Sequence, residues 1–512
     1  MVRSRLALRE SPIMGFAASL GETSVMTNRQ LTGCRCLVAP AYCIFFVSFI
    51  AVVNGTSWGA DWPQFRGPGG SGSSNDTAKL PTHVGPDRNV VWKTELPPGH
   101  SSPVVAGDRV YVTAVEDDKL WTFGLDRQTG QLLWRANAPH AELEQIHQTG
   151  SHAQSSPASD GQLVVSFFGS SGLFCYDRDG KLLWSRPMGP FSDTYGAAAS
   201  PILVDDAVIL LQDHDIDSFL VALDKQTGET IWSADRGEFP RGYTTPVIWN
   251  SEGRRQLVVV GALRVVGYDV ATGAEIWTVR GIARLCSSTP ALGDDGNIYI
   301  SEWAPGGDET NRIQADPFTQ LAATHDSNKN GTIELAELPP GPLKSRFPQI
   351  DRDKSGEITR AEYDWMEVIF NTAHNSFLAI RPGGVGDVTD SHVLWKRTQH
   401  LPYVPSPLYY RGHLFTVKNG GIFVSVNANT GATEKAGRLP QTAQYYSSPV
   451  AGDGKIYLVD QRGGLTVLSA GPQWKVLAQA EFGEDVYATP AIAEGRIYVR
   501  TTGHLYCFGL DQ

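Results

Sequence analysis

Short apolar runs, many with a hydrophobic residue at every second position, fill the chain after residue 90 and are separated by Gly, Asp and Thr turns. Period-two alternation marks half-buried strands, and short apolar runs bounded by turn residues are strands rather than helices. One unit reads in full as SSPVVAGDRVYVTA (residues 101–114) followed by LWTFGLDRQTGQLLW (residues 120–134). It predicts four strands: a valine-rich one after Ser-Pro, a second after Gly-Asp, a third ending in Asp, and a fourth carrying Trp after a Thr-Gly turn. The Ser-Pro or Thr-Pro mark recurs at Pro103, Pro157, Pro201, Pro246, Pro290, Pro407, Pro449 and Pro490, at spacings of 54, 44, 45, 44, 117, 42 and 41 residues. A repeat of about 40–45 residues with four strands is one propeller blade. The chain is therefore predicted to be all-β, an eight-bladed β-propeller.

The outer strands carry their own signature. Trp134, Trp184, Trp232 and Trp277 each follow a turn glycine (Gly130, Gly180, Gly228, Gly273) by four residues. The glycine supplies the positive φ of a tight turn, and the indole lies on the outermost strand, where it covers the neighbouring blade. Asp126, Asp224 and Asp269 precede their Trp by eight residues and are read as turn-forming acceptors of backbone N–H groups. Trp395 and Trp474 continue the series, while Lys435 stands at the sixth Trp position and predicts the weakest docking there. The eighth unit ends at HLYCFGLDQ without an outer strand; Trp92, in NVVWKTEL, supplies an N-terminal strand expected to close the last blade.

The 117-residue spacing leaves roughly 70 residues beyond one period. They include DSNKNGTIELAE (residues 326–337) and DRDKSGEITRAE (residues 351–362). Calcium takes six to eight oxygens, which a twelve-residue loop provides from positions 1, 3, 5, 7, 9 and 12, with glycine at position 6. The first loop offers Asp326, Asn328, Asn330, the Thr332 carbonyl, Glu334 and Glu337; the second offers Asp351, Asp353, Ser355, the Glu357 carbonyl, Thr359 and Glu362. Gly331 and Gly356 sit at position 6, and Ile333 and Ile358 at position 8 are placed to pair the loops. Helical spacing of Tyr363, Met366, Ile369 and Phe370 flanks the second loop, and DPFTQLAATH precedes the first. The expectation is two Ca2+ sites in a small α-helical EF-hand pair inserted in blade 5 between strands two and three. Its short proline-rich connector favours a rigid module over a switch.

Composition agrees with a turn-rich, well-cored β protein: Gly 53, Pro 31, 41% hydrophobic and 19% charged among 512 residues. Five Arg and two Glu precede an uncharged run, CLVAPAYCIFFVSFIAVV, over residues 36–53. This predicts an export leader over residues 1–60, cleaved near Gly59 or Ala60, or retained as a membrane anchor, and hence a periplasmic or extracellular protein. Cys34 precedes the apolar run and is rejected as a lipidation site. Without the leader, 38 basic face 52 acidic residues, net −14. That makes nucleic acid and anionic membrane surfaces poor partners, with membrane contact expected only through a retained anchor. Cys175, Cys286 and Cys507 are read as core residues rather than a disulfide framework. The expected organisation is a linker over 61–89, propeller over 90–303, insertion over 304–372 and propeller over 373–512.

ALDKQTGETIW (residues 222–232) and GYDVATGAEIW (residues 267–277) resemble the docking motif of the PQQ-type propeller repeat family. Residues 61–72, DWPQFRGPGGSG, look like the start of secreted PQQ-like propellers. The resemblance implies the fold, and either a quinoprotein dehydrogenase or a non-enzymatic envelope scaffold. Dehydrogenase chemistry in that family implies adjacent cysteines, a tryptophan floor and calcium beside the quinone in the funnel. No two cysteines after the leader are adjacent, and both calcium patterns lie in the insertion. The expectation is a non-catalytic calcium-binding scaffold without catalytic residues, with PQQ-dependent dehydrogenase as the alternative; nothing singles out a hydrolase. The funnel is expected to hold a small polar ligand or a partner protein's peptide through His100, His152, Arg241, Tyr243, Arg284, Tyr403 and Tyr445, unless these residues only bond neighbouring blades. QDHDIDSF (residues 212–219) is either a metal site or a hairpin salt-bridged to Arg236 or Arg241.

Overall fold

A computed structural model describes residues 61–510 apart from Asp76 and Ala141; the expected leader lies outside them. Among the described residues eight sheets of four antiparallel strands form an eight-bladed β-propeller, and one, blade 4, has a fifth strand paired in parallel. Blade 1 comprises Val104–Ala106, Arg109–Glu116, Lys119–Asp126 and Leu132–Ala138, ordered from the axis outward. Its second strand is buried over Val110–Ala114 because neighbouring blades cover both faces, whereas in Leu132–Ala138 every residue before Ala138 is exposed or part-buried. In blade 8, Ala491–Ala493, Arg496–Arg500 and His504–Phe508 are followed outward by Val90–Glu95, whose Trp92 pairs with Cys507.

The Ser/Thr-Pro marks have a structural purpose. The backbone N–H of each Ser or Thr donates to the side-chain hydroxyl of its counterpart in the next blade. The chain of bonds runs Ser102 to Ser156, Ser200, Thr245, Thr289, Ser406, Ser448, Thr489 and back to Ser102, at 2.9–3.3 Å. Eight bonds thus close a belt at the inner ends of the blades. Hydroxyls suit it because the same atom that accepts a neighbour's N–H is carried on a short side chain beside the donor.

At the rim, indole N–H groups bridge blades. Trp92 donates to Arg127 O, Trp134 to Arg178 O, Trp184 to Lys225 O, Trp232 to Val270 O and Trp395 to Ala428 O, at 2.8–3.0 Å. The turn glycine of each receiving blade lies under the arriving ring: a Cβ on Gly180 would come within 2.5 Å of Trp134, and one on Gly273 within 2.4 Å of Trp232. These glycines therefore serve both their positive φ and the close approach. Lys435 takes the same role differently, with Nζ 2.6 Å from Trp474 O and 4.1 Å from the ring centroid. Trp277 departs from the series and bonds Gln256 in its own blade. Gly386–Asp387, from blade 5, pairs alongside it as the fifth strand of blade 4.

Residues 61–89, expected as a linker, are packed instead. Trp62 bridges Val105 in blade 1, Pro63 O accepts from Ser159 N in blade 2, Arg66 reaches Pro407 O in blade 6 and Ser73 bridges Ala451 in blade 7. The segment thus spans the axis, and Leu80 and Val84 join the core of blades 7 and 8. Between Ile298–Glu302 and Ser376–Ile380 of blade 5 lie helices α1 (Phe318–His325), α2 (Pro342–Ile350) and α3 (Arg360–Thr372) around their own core of Phe318, Leu321, Phe347, Tyr363, Met366 and Phe370. The proline-rich connector is itself α2, with Pro342 in its first turn, where a missing N–H costs nothing.

Candidate functional site

The two acidic loops share one wiring. In the first, Asp326 accepts the N–H groups of Asn330 and Gly331, and Glu337 those of Ser327, Asn328 and Glu334. In the second, Asp351 accepts those of Ser355 and Gly356, and Glu362 those of Arg352, Asp353 and Thr359. Gly331 and Gly356 have φ of 89° and 88°, the left-handed turn that faces the intervening residues inward. Ile333 pairs with Ile358 across a two-stranded ladder, and Thr332 Oγ1 donates to Glu357 at 2.9 Å.

Carboxylate oxygens of Asp351, Asp353 and Glu362 lie within 4.8 Å of one another. With the Ser355 hydroxyl and the Glu357 carbonyl, which bond at 3.1 Å, they form an all-oxygen set suited to a hard cation. Thr359 is occupied as the N-cap of α3 and donates to Glu362. In the first loop the amides of Asn328 and Asn330 donate to Glu334, so that carboxylate is held across the loop. Contacts with Glu334, then Ser327, hold Glu337 down to about 2, and the Ser355 hydroxyl and N–H lower Asp353. Both acids are ionised throughout the neutral range.

The second loop is tied to the ring. Arg352 donates to Gly237 O at 2.8 Å and lies 4.4 Å over Trp365, whose indole donates to Glu238 O. Arg284 and Arg346 each lie 5.1 Å from the Phe370 ring. The segments so held connect blades 3, 4 and 5.

A cavity of about 400 Å³ lies on the axis. Phe65 forms part of it, six belt residues line it, and one register position supplies much of the wall: the residue two before each belt hydroxyl. These are His100, Gln154, Ala198, Tyr243, Ser287, Val404, Tyr446 and Tyr487, and all eight line the cavity. His100 stacks on Tyr487 at 3.9 Å between centroids, and Tyr446 lies 5.3 Å from Tyr487. Burial, reinforced by Arg500, lowers His100 to about 4, so it is neutral at physiological pH. Behind the wall, burial raises Asp193 to about 7 although the Tyr243 hydroxyl donates to it at 2.8 Å. Among the described residues no Asp, Glu, Lys or Arg lines the cavity.

Of the residues expected in the funnel, His100, Tyr243 and Tyr403 line it. The other four do not. Tyr445 is 1% exposed in the core of blades 6 and 7, and its neighbour Tyr446 takes the funnel position. His152 bonds the Glu144 carbonyl at 2.7 Å, Arg241 is forked onto Asp215, and Arg284 donates to Pro305 O. In residues 212–219 two of the three acids pair with arginines: Asp213 forms a bidentate pair with Arg236, both 0% exposed at the side chain, and Asp215 pairs with Arg241. Sequence reasoning missed Tyr487, Tyr446, Gln154 and Phe65; the first three were detectable from their shared offset to the Ser/Thr-Pro mark.

The fold defines the class as an eight-bladed β-propeller. A family model described as outer membrane protein assembly factor BamB matches residues 82–194 and 123–302. Among solved structures, BamB from Moraxella catarrhalis is similar at 14% identity and TM-score 0.51, over 82% of this chain and 98% of that one. A computationally designed protein, Ika8, gives 11% identity and TM-score 0.52 over 82% and 100%. A europium-containing methanol dehydrogenase gives 10% identity and TM-score 0.48 over 88% and 98%. No curated protein matches the chain. At these identities the likeness shows the fold alone. Among the described residues the side chains do not fit PQQ as the resemblance implies it should be held: Cys175, Cys286 and Cys507 are separate, free and buried, and the funnel wall has neither a tryptophan nor a carboxylate.

Proposed function

We propose that this chain is an exported, non-catalytic scaffold in which an EF-hand pair, inserted in blade 5, binds two calcium ions and braces the funnel side of the ring. The observation that carries the reading is the duplicated wiring of the loops, in which positions 1 and 12 accept equivalent backbone N–H groups in both. That wiring fixes the carboxylates of Asp326 and Glu337 in the first loop and of Asp351 and Glu362 in the second, and among the described residues those of the second, with Asp353, lie within 4.8 Å of one another. In this account the strand Val90–Glu95 closes the ring, and the funnel holds a small polar ligand or a peptide of a partner protein. The aromatic and hydroxyl lining supports that use, and the match to an outer membrane assembly factor model agrees with a scaffold in the cell envelope.

The test is thermal unfolding with calcium and with chelator. Saturation at a hundred times Kd stabilises by about 2.7 kcal/mol per site. The wild type should melt higher in calcium, and Glu337→Gln combined with Glu362→Gln should remove the difference. A wild-type melting temperature indifferent to calcium would refute the reading.

A further inference from the structure

The axial cavity is walled by rings and hydrogen-bonding groups and by little else. Eight of its lining residues carry rings, and only Ala198, Leu285 and Val404 bring plain aliphatic side chains. The rings converge from separate blades. His100 stacks on Tyr487, which lies beside Tyr446. Burial, then the phenols of Tyr195 and Tyr446, raises the Tyr403 hydroxyl; burial, then Tyr487 and Tyr195, raises that of Tyr446. Phenols from the entries to blades 3, 6, 7 and 8 therefore lie near one another in a single space, and those of Tyr403 and Tyr446 stay protonated at neutral pH.

Polar capacity is left over inside this space. A Ser or Thr hydroxyl has one donor and two acceptor sites. Each belt hydroxyl accepts one N–H, and among the described residues none donates. The six belt residues that line the cavity are 2–3% exposed, so their O–H groups find acceptors only from within it. The Tyr403 hydroxyl likewise has no hydrogen-bond partner among the described residues.

Together the rings and the spare donors select a class of ligand. A pure hydrocarbon would cover the hydroxyls and leave them unsatisfied. A small ion would be buried without an opposite charge, since among the described residues no Asp, Glu, Lys or Arg lines the wall. A quaternary ammonium group suits the rings, but it accepts no hydrogen bond and would leave the belt donors idle. A sugar ring meets both demands: its C–H faces lie against aromatic rings, and its hydroxyls donate and accept around the rim. The volume of about 400 Å³ falls within the range of about 300–1,000 Å³ usual for small-ligand sites.

We propose that the axial cavity binds one uncharged sugar unit, with its C–H faces against the tyrosine rings and its hydroxyls on the belt. The unit is either a free sugar or the end of a glycan chain. The inference rests on the funnel part of the proposed function and stands whether or not the acidic loops bind metal.

Saturation-transfer difference NMR on the full chain in calcium buffer, titrated with glucose, galactose, mannose and N-acetylglucosamine, reads the binding. At least one should bind saturably, with transfer strongest to its ring C–H protons. The uronate and the amino counterpart of the bound sugar, each charged, should bind at least about tenfold more weakly. Tyr446→Leu keeps apolar bulk but removes a ring, and should weaken binding about tenfold. Tyr403→Phe removes one unpartnered hydroxyl and should weaken it roughly three- to tenfold at an unchanged melting temperature. The methyl glycoside of the bound sugar separates the sources: equal binding identifies a chain end, and loss of binding a free sugar. Blocked tetraproline, an uncharged peptide of the kind aromatic grooves take, separates the inference from the reading beneath it. If tetraproline binds and none of the four sugars does, the inference falls and the funnel reading stands; if nothing binds, both fall. Equal binding of the charged counterparts, or undiminished binding in either folded variant, would also overturn the proposal.

Discussion

Replacing Gly273 by Ala tests how blades dock. Gly273 has φ 71°, and a Cβ there would lie 2.4 Å from Trp232 Cε3 and 2.8 Å from Cδ2. Two costs are expected: left-handed backbone strain of about 1–2 kcal/mol, and overpacking against the indole of about 1–3 kcal/mol. Trp232→Ala alone should cost about 3–5 kcal/mol, since the ring is 9% exposed and its N–H bonds Val270 O. In the Trp232→Ala background the overpacking vanishes, so Gly273→Ala should then cost only the backbone strain. The double-mutant cycle should show a coupling of about 1–3 kcal/mol. Gly412→Ala is the control: its φ is 80° and nothing lies within 4 Å of the added Cβ, so only the strain applies. Urea unfolding followed by circular dichroism measures all of these. If Gly273→Ala costs the same in both backgrounds, to within about 0.5 kcal/mol, the indole does not rest on that glycine and the docking argument fails.

Asp213→Ala should destabilise by about 3–5 kcal/mol, because Arg236 is left charged and unpaired where both side chains are 0% exposed; urea unfolding would show a small effect if the pair were solvated. Glu302, 1% exposed, has its carboxyl raised to about 8 by burial, against opposing bonds from Ser287 and Ser288. From about pH 4.5 to 8 the folded state holds a proton that the unfolded state has lost, so this group makes stability fall as pH rises. Glu302→Gln should flatten that slope and exceed the wild type most at the alkaline end; parallel pH profiles would contradict this. Purified protein given PQQ and calcium should show neither quinone absorbance nor dye reduction with alcohols or sugars, and either signal would restore the dehydrogenase reading.

The blades were legible because each repeats a local rule: Pro to start the inner strand, Gly where φ is positive, Trp on the outer strand. The belt was half legible. Proline spacing gave the number of blades, but that the preceding Ser or Thr bonds its counterpart some forty residues away in the next blade is a tertiary fact. The funnel failed for a similar reason. Nothing local distinguishes Tyr445 from Tyr446, and alternation sends one into the core and the other to the cavity. Long side chains such as Arg241 and Arg284 are directed by partners distant in sequence, Asp215 and Pro305. Residues 61–89 lack strand periodicity, so their passage across the axis left no pattern. The internal bonding of the two acidic loops was the most legible, since a twelve-residue loop carries its carboxylates and its glycine within itself.

Metal content after equilibrium dialysis against calcium tests the central claim most directly. The account predicts two calcium ions per wild-type chain, and none in the chain carrying both Glu337→Gln and Glu362→Gln. A wild-type chain that retains no calcium, or a doubly substituted chain that retains as much, would contradict it.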